Sequence, residues 1–236
     1  MSKICPVCRS KDAQVRAAYR GSHPIFLGLE RTHCSSCEMV FVSPMPTETA
    51  LSEYNASYFS TAHGGTPSNK VTRAFFSGIA RLRMTHIERY IQTQRIQVAK
   101  LLELGPGPGV FAKNWLEKYP TTSYMAYETD ISCHPSLQKV GVTLLDSASR
   151  VGNSDVDLIV MSHVLEHVTD PIQFLTTSTQ NLRKGGAIFI EVPCRDYEHK
   201  PLDEPHLLFF DKEPMRLLLQ QLGFNNIQIS YHGVTL

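Results

Sequence analysis

The stretch LLELGPGPG at residues 101–109 decides the fold class. Apolar residues typical of a buried strand lead directly into a turn in which every second residue is glycine, and a helix is predicted to begin at Val110. Glycine in such a turn allows positive φ angles and a close approach of the backbone to a ligand. In open α/β sheets, ligands bind beyond the carboxyl ends of the strands, so this turn is predicted to be a ligand site.

Strand and helix patterns alternate through the rest of the chain. Strands are predicted at residues 98–104, 124–128, 142–145, 157–161, 187–192 and 226–231. Helices are predicted at residues 48–59, 69–93, 110–118, 171–182 and 214–222. The alternation predicts an α/β fold with a doubly wound, mostly parallel sheet. The arginines of helix 69–93 are expected to form a solvated face: Arg73, Arg81, Arg83 and Arg89.

The charge of the glycine turn distinguishes two kinds of nucleotide ligand. A nicotinamide dinucleotide is bound by a G-x-G-x-x-G turn, which would require glycine where this chain has Val110. Its diphosphate would also lie near the like charge of Glu103, and Pro106 and Pro108 lack the amide donors that a phosphate uses. S-adenosylmethionine (SAM) carries an ammonium and a sulfonium, so a carboxylate there is complementary. The turn therefore predicts SAM.

Two further acids follow strand ends. Glu128 lies about 20 residues beyond the glycines, at the end of the second strand, where an acid binds ribose hydroxyls in nucleotide folds. Asp146, at the end of the third strand, is placed to accept a hydrogen bond from the adenine amino group. The alternative for Asp146 is a helix cap or turn residue, because aspartate favours those positions.

Four cysteines form two Cys-x-x-Cys pairs, Cys5 with Cys8 and Cys34 with Cys37. Two such pairs suit tetrahedral zinc, and four protein ligands leave no open position for catalysis, so a structural zinc ion is predicted. Short alternating apolar runs in the same region predict a small N-terminal β module. The metal would supply folding energy that this module of about 40 residues otherwise lacks. Redox-active dithiols are the alternative.

Composition limits the partners. The formal net charge is +1, with 23 basic and 22 acidic residues, which gives no electrostatic reason to expect a nucleic acid. No apolar run approaches the ~20 residues of a membrane span, so no membrane association is expected. The paired cysteines and the absence of an apolar N-terminal signal region predict a reducing, cytoplasmic location.

The ordered motifs resemble those of class I SAM-dependent methyltransferases over residues 95–231. The resemblance rests on Glu103-x-Gly105-x-Gly107-x-Gly109, Glu128, SHVLEHV at 162–168 and LRKGG at 182–186. It implies that Glu103 and the three glycines hold the methionine end, Glu128 the ribose and Asp146 the adenine. It also implies that His163 lines the cofactor pocket. Such folds usually end with a seventh, antiparallel strand, so we expect the sheet to be completed differently or the chain to be longer.

The N-terminal region resembles zinc-ribbon modules that precede some methyltransferase domains, including sugar C-methyltransferases. This resemblance implies a zinc ribbon at 1–45, a helical linker or lid at 46–95 and a methyltransferase domain at 96–236. Tyr54 and Tyr58 would border the acceptor, and His206 matches a histidine implicated there as base. The His-Glu-His run of those enzymes is altered, since Glu204 and Pro205 replace its first two members. The alternative for His206 is a structural role beside residues 209–210.

These observations predict an enzyme that transfers the methyl group of SAM to a small or medium-sized acceptor, a sugar or glycosylated metabolite being preferred. Methylation of rRNA or tRNA, with the zinc ribbon contacting the RNA, is one alternative, and binding should then fall steeply with salt. A non-catalytic SAM-binding scaffold is another.

Overall fold

The computed structural model describes residues 3–56, 70–147 and 155–232. The chain divides into two compact units. The ribbon unit comprises Met1–Leu51, His163–Thr176 and Val192–Leu236, and the sheet unit comprises Ser52–Ser162 and Thr177–Glu191. The domain boundaries at residues 45 and 95 stay a prediction about which parts fold independently.

The ribbon unit contains an antiparallel sheet of order β1-β2-β3-β9. Its strands are β1 (Ala13–Ala18), β2 (Glu30–Cys34), β3 (Val40–Ser43) and β9 (Leu208–Phe209). Residues Val40, Phe41 and Val42 are buried, as expected for the predicted small β module. Phe41 pairs with Leu208, which adds a two-residue strand that the sequence did not predict.

The sheet unit contains a parallel sheet of order β6-β5-β4-β7-β8. Its strands are β4 (Lys100–Leu104), β5 (Ser123–Tyr127), β6 (Thr143–Leu144), β7 (Val156–Ser162) and β8 (Leu182–Glu191). The chain runs outward from β4 in one direction and then returns to β7 on its other side, which is the doubly wound arrangement predicted. The order reverses beside β4, and ligands of such sheets bind at the carboxyl ends of the strands at that point.

Helices pack against this sheet around one apolar core. Among the described residues, the α-helices are α1 (Glu48–Asn55), α2 (Lys70–Thr93), α3 (Val110–Lys118), α4 (His134–Lys139), α5 (Pro171–Thr179) and α6 (Lys212–Gln221). Of these, α2, α3 and α4 of the sheet unit contribute to this core. Met84 of α2 and Trp115 of α3 are buried against Leu101 and Leu158 of the sheet. The Trp115 indole N–H donates to Thr122 at 3.2 Å, so the largest core side chain keeps a partner for its polar group. This core holds β4 in place beneath the glycine turn.

Two element predictions need correction. The helix predicted to reach residue 182 ends at Thr179, and Leu182 already belongs to β8. The strand predicted at 226–231 is wrong, since residues 224–232 form neither strand nor helix. Their alternating pattern pairs with no strand of the described residues, and Asn226 has a positive φ of 54°, which interrupts an extended chain. None of the helices in the described ranges is both long and apolar enough to cross a membrane.

Candidate functional site

The glycine turn takes the conformation that its composition allows. Gly105, Gly107 and Gly109 have φ angles of 65°, 54° and 79°, in the left-handed region that side chains disfavour. Gly109 precedes the first residue of α3, and a Cβ atom added there would lie 2.8 Å from Leu137 Cδ2. Alternating left-handed residues make the turn compact, which explains why glycine stands at every second position.

The amides of the turn are already occupied. Each glycine N–H donates to an oxygen of the sheet unit itself: Gly105 to the carbonyl of Tyr127 at 2.9 Å, Gly107 to the carboxylate of Glu128 at 2.8 Å, and Gly109 to the carbonyl of Pro106 at 3.1 Å. The two prolines between them have no N–H to donate. Residues 105–109 therefore hold no spare backbone donor for an anionic ligand.

Glu128 is the acid that closes the turn. One carboxylate oxygen accepts the Gly107 N–H, and the other accepts the N–H of Asp130 at 2.9 Å. Each carboxylate oxygen can accept more than one hydrogen bond, so acceptor capacity remains beside the turn. The position fits a ligand that donates hydroxyl groups.

Glu103 lies inside the sheet unit at the end of β4, with 4% of its surface exposed. The hydroxyl of Tyr124 donates to its carboxylate at 2.5 Å. Burial raises the pKa of Glu103 to about 7, although the Tyr124 hydrogen bond and the charge of Arg83 lower it. A buried carboxyl of this kind releases its proton more readily when a cation binds next to it.

Arg83 does not belong to a solvated face. Its Nε–H donates to the Glu191 carboxylate at the end of β8, and only 18% of its side chain is exposed. Arg81, on the same helix, donates from Nε to Asn114 Oδ1 at 3.2 Å. The prediction of a solvated arginine face is thus wrong for Arg83, because the sheet unit supplies a carboxylate that the helical pattern does not reveal.

The structure describes some, but not all, of the remaining residues predicted to contact the cofactor or the acceptor. Asp146 is exposed, two residues beyond β6, and the residues that would follow it in the alternative role of helix cap lie outside the described part of the chain. His163 directly follows Ser162, the last residue of β7, and has a left-handed φ of 57°. Tyr54 is half-buried on the last turn of α1, whereas Tyr58 lies outside the described residues.

The four paired cysteines of the ribbon unit converge, and we call them the four-cysteine site. Their sulfur atoms all lie within 4.8 Å of one another. Cys5 and Cys37 are 3.6 Å apart, and Cys8 and Cys34 are 3.5 Å apart. Tetrahedral zinc with Zn–S bonds of about 2.3 Å requires sulfur–sulfur distances of roughly 3.8 Å. The spacing thus fits a zinc ion with little rearrangement.

The two cysteine pairs have matching backbone turns. The N–H of Arg9 donates to the carbonyl of Cys5 at 3.0 Å, and the N–H of Glu38 donates to the carbonyl of Cys34 at 2.9 Å. Arg9 and Glu38, each directly after the second cysteine of a pair, have φ angles of 60° and 62°. The same turn, used twice, presents four thiols to one point.

These thiols cannot all ionise without a cation. The hydrogen bond from the Cys37 thiol lowers the pKa of Cys5 to about 5. The same bond, followed by burial, raises the pKa of Cys37 above its usual range. One thiolate thus forms at the expense of its neighbour, and a bound metal would remove that competition.

A second group of ionisable residues in the ribbon unit surrounds Glu166. Its carboxylate is 1% exposed, and one oxygen lies 3.2 Å from His163 Nδ1 and 3.8 Å from His167 Nε2. Burial raises the pKa of Glu166, but the hydrogen bond with His163 and the neighbouring imidazoles lower it below its usual value. Burial lowers the pKa of His167 to about 4, so this ring is neutral at physiological pH.

His206 lies against the same group. Its Nδ1 is 2.8 Å from Asp196 Oδ2, its exposed fraction is 6%, and its ring centroid is 5.0 Å from that of His167. Burial raises the pKa of Asp196, but hydrogen bonds from His206 and Lys200 bring it down to about 2. The ionised Asp196 therefore orients the His206 ring. We call Glu166, His167, His206 and Asp196 the histidine cluster.

Two residues at these sites were not predicted from the sequence. Tyr124 and Asp196 each bond to a predicted residue, yet no short motif relates them to their partners. Glu166, by contrast, lies three residues from its partner His163 within the SHVLEHV motif. Tyr124 carries a weak signal, since alternate residues of neighbouring strands share a face and Glu103 lies on that face. Asp196 has none, because a loop turn brings it to His206.

The five-stranded parallel sheet with flanking helices and its glycine turn define the class I SAM-dependent methyltransferase fold. A family model described as a methyltransferase domain matches residues 72–229, more than half of the chain. The chain therefore belongs to the methyltransferase domain family and is a SAM-dependent methyltransferase. A comparison with curated proteins found no match.

Two solved structures are similar in fold. One is the 1,6-didemethyltoxoflavin-N1-methyltransferase of Burkholderia thailandensis, with 1,6-didemethyltoxoflavin and S-adenosylhomocysteine bound. It is 18% identical with a TM-score of 0.57, and the match covers 87% of this chain and 89% of that one. The other is a SAM-dependent methyltransferase of Archaeoglobus fulgidus, 18% identical with a TM-score of 0.51, over 62% of this chain and 70% of that one.

Proposed function

We propose that the protein transfers the methyl group of SAM to a small or medium-sized acceptor, a sugar or glycosylated metabolite being preferred. The observation that carries the cofactor assignment is the full occupancy of the glycine amides in the turn at 105–109. A diphosphate only accepts hydrogen bonds and would find no donor there. A sulfonium nucleoside offers positive charge and hydroxyl donors, which suit the carboxylates of Glu103 and Glu128.

The cofactor residues take separate roles in this proposal. Glu103, with Gly105, Gly107 and Gly109 around it, balances the charge of the methionine end. Glu128 accepts hydrogen bonds from the ribose hydroxyls with the capacity that the Gly107 and Asp130 amides leave. Asp146 accepts from the adenine amino group, and its exposed carboxylate is accessible for this. His163 lines the cofactor pocket.

Methyl transfer forms a bond from the acceptor atom to the methyl carbon while the carbon–sulfur bond breaks. The sulfonium becomes the neutral thioether of S-adenosylhomocysteine, and the acceptor gives up a proton. We assign that proton to His206. Asp196 accepts the N–H of its Nδ1, which leaves Nε2 as the basic nitrogen. Tyr54 and Tyr58 would border the acceptor, and a hydroxyl-rich acceptor suits the polar histidine cluster.

Zinc is the metal that we propose for Cys5, Cys8, Cys34 and Cys37. The fit of the sulfur distances and the competition among the thiols for ionisation support it. Four thiolates fill a tetrahedral ion, so this zinc would stabilise the ribbon unit and take no part in methyl transfer.

The test has two stages. Calorimetry should show binding of SAM and no binding of nicotinamide dinucleotide. The protein should then be incubated with SAM and panels of nucleotide sugars, glycosylated metabolites and total RNA, with S-adenosylhomocysteine measured by mass spectrometry. Turnover with a sugar panel supports the proposal. Turnover with RNA alone, suppressed steeply by salt, would replace it with RNA methylation. SAM binding without any turnover would favour the scaffold alternative.

A further inference from the structure

The histidine cluster contains three potential metal ligands that are separate from the four-cysteine site. Glu166, His167 and His206 each contribute one ligand atom, and these atoms lie within 4.8 Å of one another. Glu166 and His206 are 1% and 6% exposed, and 14% of the His167 side chain is exposed. All three belong to the ribbon unit, so their arrangement is set within one compact body.

The rings of His167 and His206 are oriented by hydrogen bonds to groups other than the three potential ligands. The Nδ1 of His206 is bonded to Asp196, so its Nε2 is the nitrogen left to bind a ligand. The ring of His167 is held by a hydrogen bond to the backbone of Pro205 while its Nε2 faces Glu166 at 3.8 Å. Metal-binding histidines are usually held in this way, with one ring nitrogen bonded to a carboxylate or carbonyl and the other on the metal.

The carboxylate of Glu166 is incompletely satisfied. Its Oε2 is buried and has no hydrogen-bond partner among residues 3–56, 70–147 and 155–232, whereas Oε1 faces His163. A buried carboxylate oxygen without a donor is costly, and a bound cation is one way to satisfy it. The carbonyl of Glu166 also accepts the N–H of Leu207 at 2.8 Å. This bond ties the turn that carries Glu166 to the segment that carries His206.

We infer that Glu166, His167 and His206 bind a divalent metal ion. Two imidazole nitrogens and one carboxylate oxygen suit zinc, manganese or ferrous iron, and three protein ligands leave open positions for water or an acceptor oxygen. The four-cysteine site has a different donor set and no open position. The two sites therefore differ both in the metals they prefer and in what they can do.

The consequence for methyl transfer rests on the proposed function, but the binding of metal does not. An acceptor hydroxyl bound to the ion would release its proton to solvent water more readily, because a divalent cation stabilises the alkoxide. The ion would also occupy Nε2 of His206. His206 would then serve as a ligand in the metal-loaded protein and as the proton acceptor in the metal-free protein.

Manganese(II) alone is the best probe, because its free ion gives a strong electron paramagnetic resonance signal that is lost on binding. Manganese prefers oxygen and nitrogen ligands over thiolates, so it should not report on the four-cysteine site. The zinc content of the full-length protein is measured first. The protein should then bind one equivalent of manganese and remove the corresponding part of the free-ion signal. Glu166→Gln and His206→Gln should each weaken this binding by about tenfold or more, and Asp196→Asn by about 10–100-fold through loss of ring orientation.

His199→Gln is the matched control, since His199 is an exposed imidazole close in sequence to Asp196 and should leave manganese binding unchanged. Retained zinc and an unchanged circular dichroism spectrum would show that each variant is folded. If Glu166→Gln does not fold, His167→Gln and Asp196→Asn provide the same test. The inference is overturned if the wild type leaves the free manganese signal intact, or if the variants bind as well as the wild type. Manganese binding without turnover on any acceptor would instead contradict the proposed function alone.

Discussion

The buried carboxyl of Glu103 should make SAM binding depend on pH near neutrality. Burial raises its pKa to about 7 from an ordinary value of 4.5. In the proposed cofactor site the cationic end of SAM binds the ionised form of Glu103, so binding should expel a proton from the fraction of molecules that still hold one. Affinity is therefore expected to rise as the pH rises through 7 and to fall as the pH falls below it.

The size of the effect follows from the fraction ionised. With a pKa of about 7, half of the Glu103 side chains are ionised at pH 7, about 9% at pH 6 and about 3% at pH 5.5. Affinity should therefore fall roughly fivefold from pH 7 to pH 6 and roughly 15-fold from pH 7 to pH 5.5. The pH range from 5.5 to 7 lies below the pKa of about 7.7–8.0 of α-amino groups, so the amino group of SAM keeps its charge throughout.

Isothermal titration calorimetry at these pH values, in two buffers that differ in ionisation enthalpy, measures both the affinity and the proton released. Tyr124→Phe removes a hydroxyl that lowers the pKa of Glu103, so the midpoint of the pH dependence should move to higher pH. Tyr119→Phe is the matched control. It removes a comparable hydroxyl bond, to Glu88 at 2.8 Å, and should leave the midpoint unchanged.

Two results would refute this reasoning. One is an affinity that stays constant between pH 5.5 and 7 with no proton released on binding. The other is an equal shift in the Tyr124→Phe and Tyr119→Phe variants, which would mean that the loss of any buried hydroxyl bond perturbs the cofactor site. Either result would contradict the proposal that Glu103 balances the charge of SAM.

Three further predictions concern stability, metal and turnover. The folded-state pKa of Glu103 exceeds its ordinary value, so the carboxyl lowers the stability of the protein as the pH rises from 4.5 to about 7. Glu103→Gln should therefore raise the free energy of unfolding of the ligand-free protein at pH 8 by up to roughly 3 kcal/mol and leave it unchanged at pH 4. Urea denaturation at the two pH values measures this difference. Cys8→Ser should lower the zinc content and the melting temperature, whereas Cys194→Ser, at an exposed thiol outside the four-cysteine site, should lower neither. His206→Ala should abolish turnover and leave SAM affinity intact, and unchanged turnover would show that the base assignment is wrong.

The parallel sheet could be predicted from sequence because its evidence is local. A short apolar run, a glycine turn and a helix pattern each lie within a few residues, and helix α3 has the predicted bounds. The strand predicted at 226–231 failed for the opposite reason. Alternation in sequence shows that a segment could form a strand, but a strand also needs a free sheet edge, and that depends on residues distant in the chain. Strand β9 was missed on the same grounds, since its two residues become a strand only by pairing with β3.

The candidate sites could likewise be predicted where their residues are close in sequence, and were missed where the partners are distant. The four-cysteine site was predictable because each pair is a local turn, and the structure adds only how the pairs meet. Arg83 was assigned to a solvated face because a helical pattern records which residues share a face but not what lies opposite. The carboxylate of Glu191 is 108 residues away in sequence. The histidine cluster was only partly visible, since the role of Glu166 depends on His206 and the orientation of His206 depends on Asp196.

The glycine turn shows that the backbone of a parallel-sheet nucleotide site can itself disfavour a diphosphate. A dinucleotide fold leaves amides at its turn free, and their N–H groups bind phosphate oxygens. Here prolines remove two amides, and Tyr127, Glu128 and Pro106 accept the three that remain. Residues 105–109 therefore offer acceptors where the turn of a dinucleotide fold offers donors. A ribose can use those acceptors because its hydroxyls donate, whereas a diphosphate cannot. The SAM preference that we propose thus rests on hydrogen-bond balance as well as on the negative charge of Glu103.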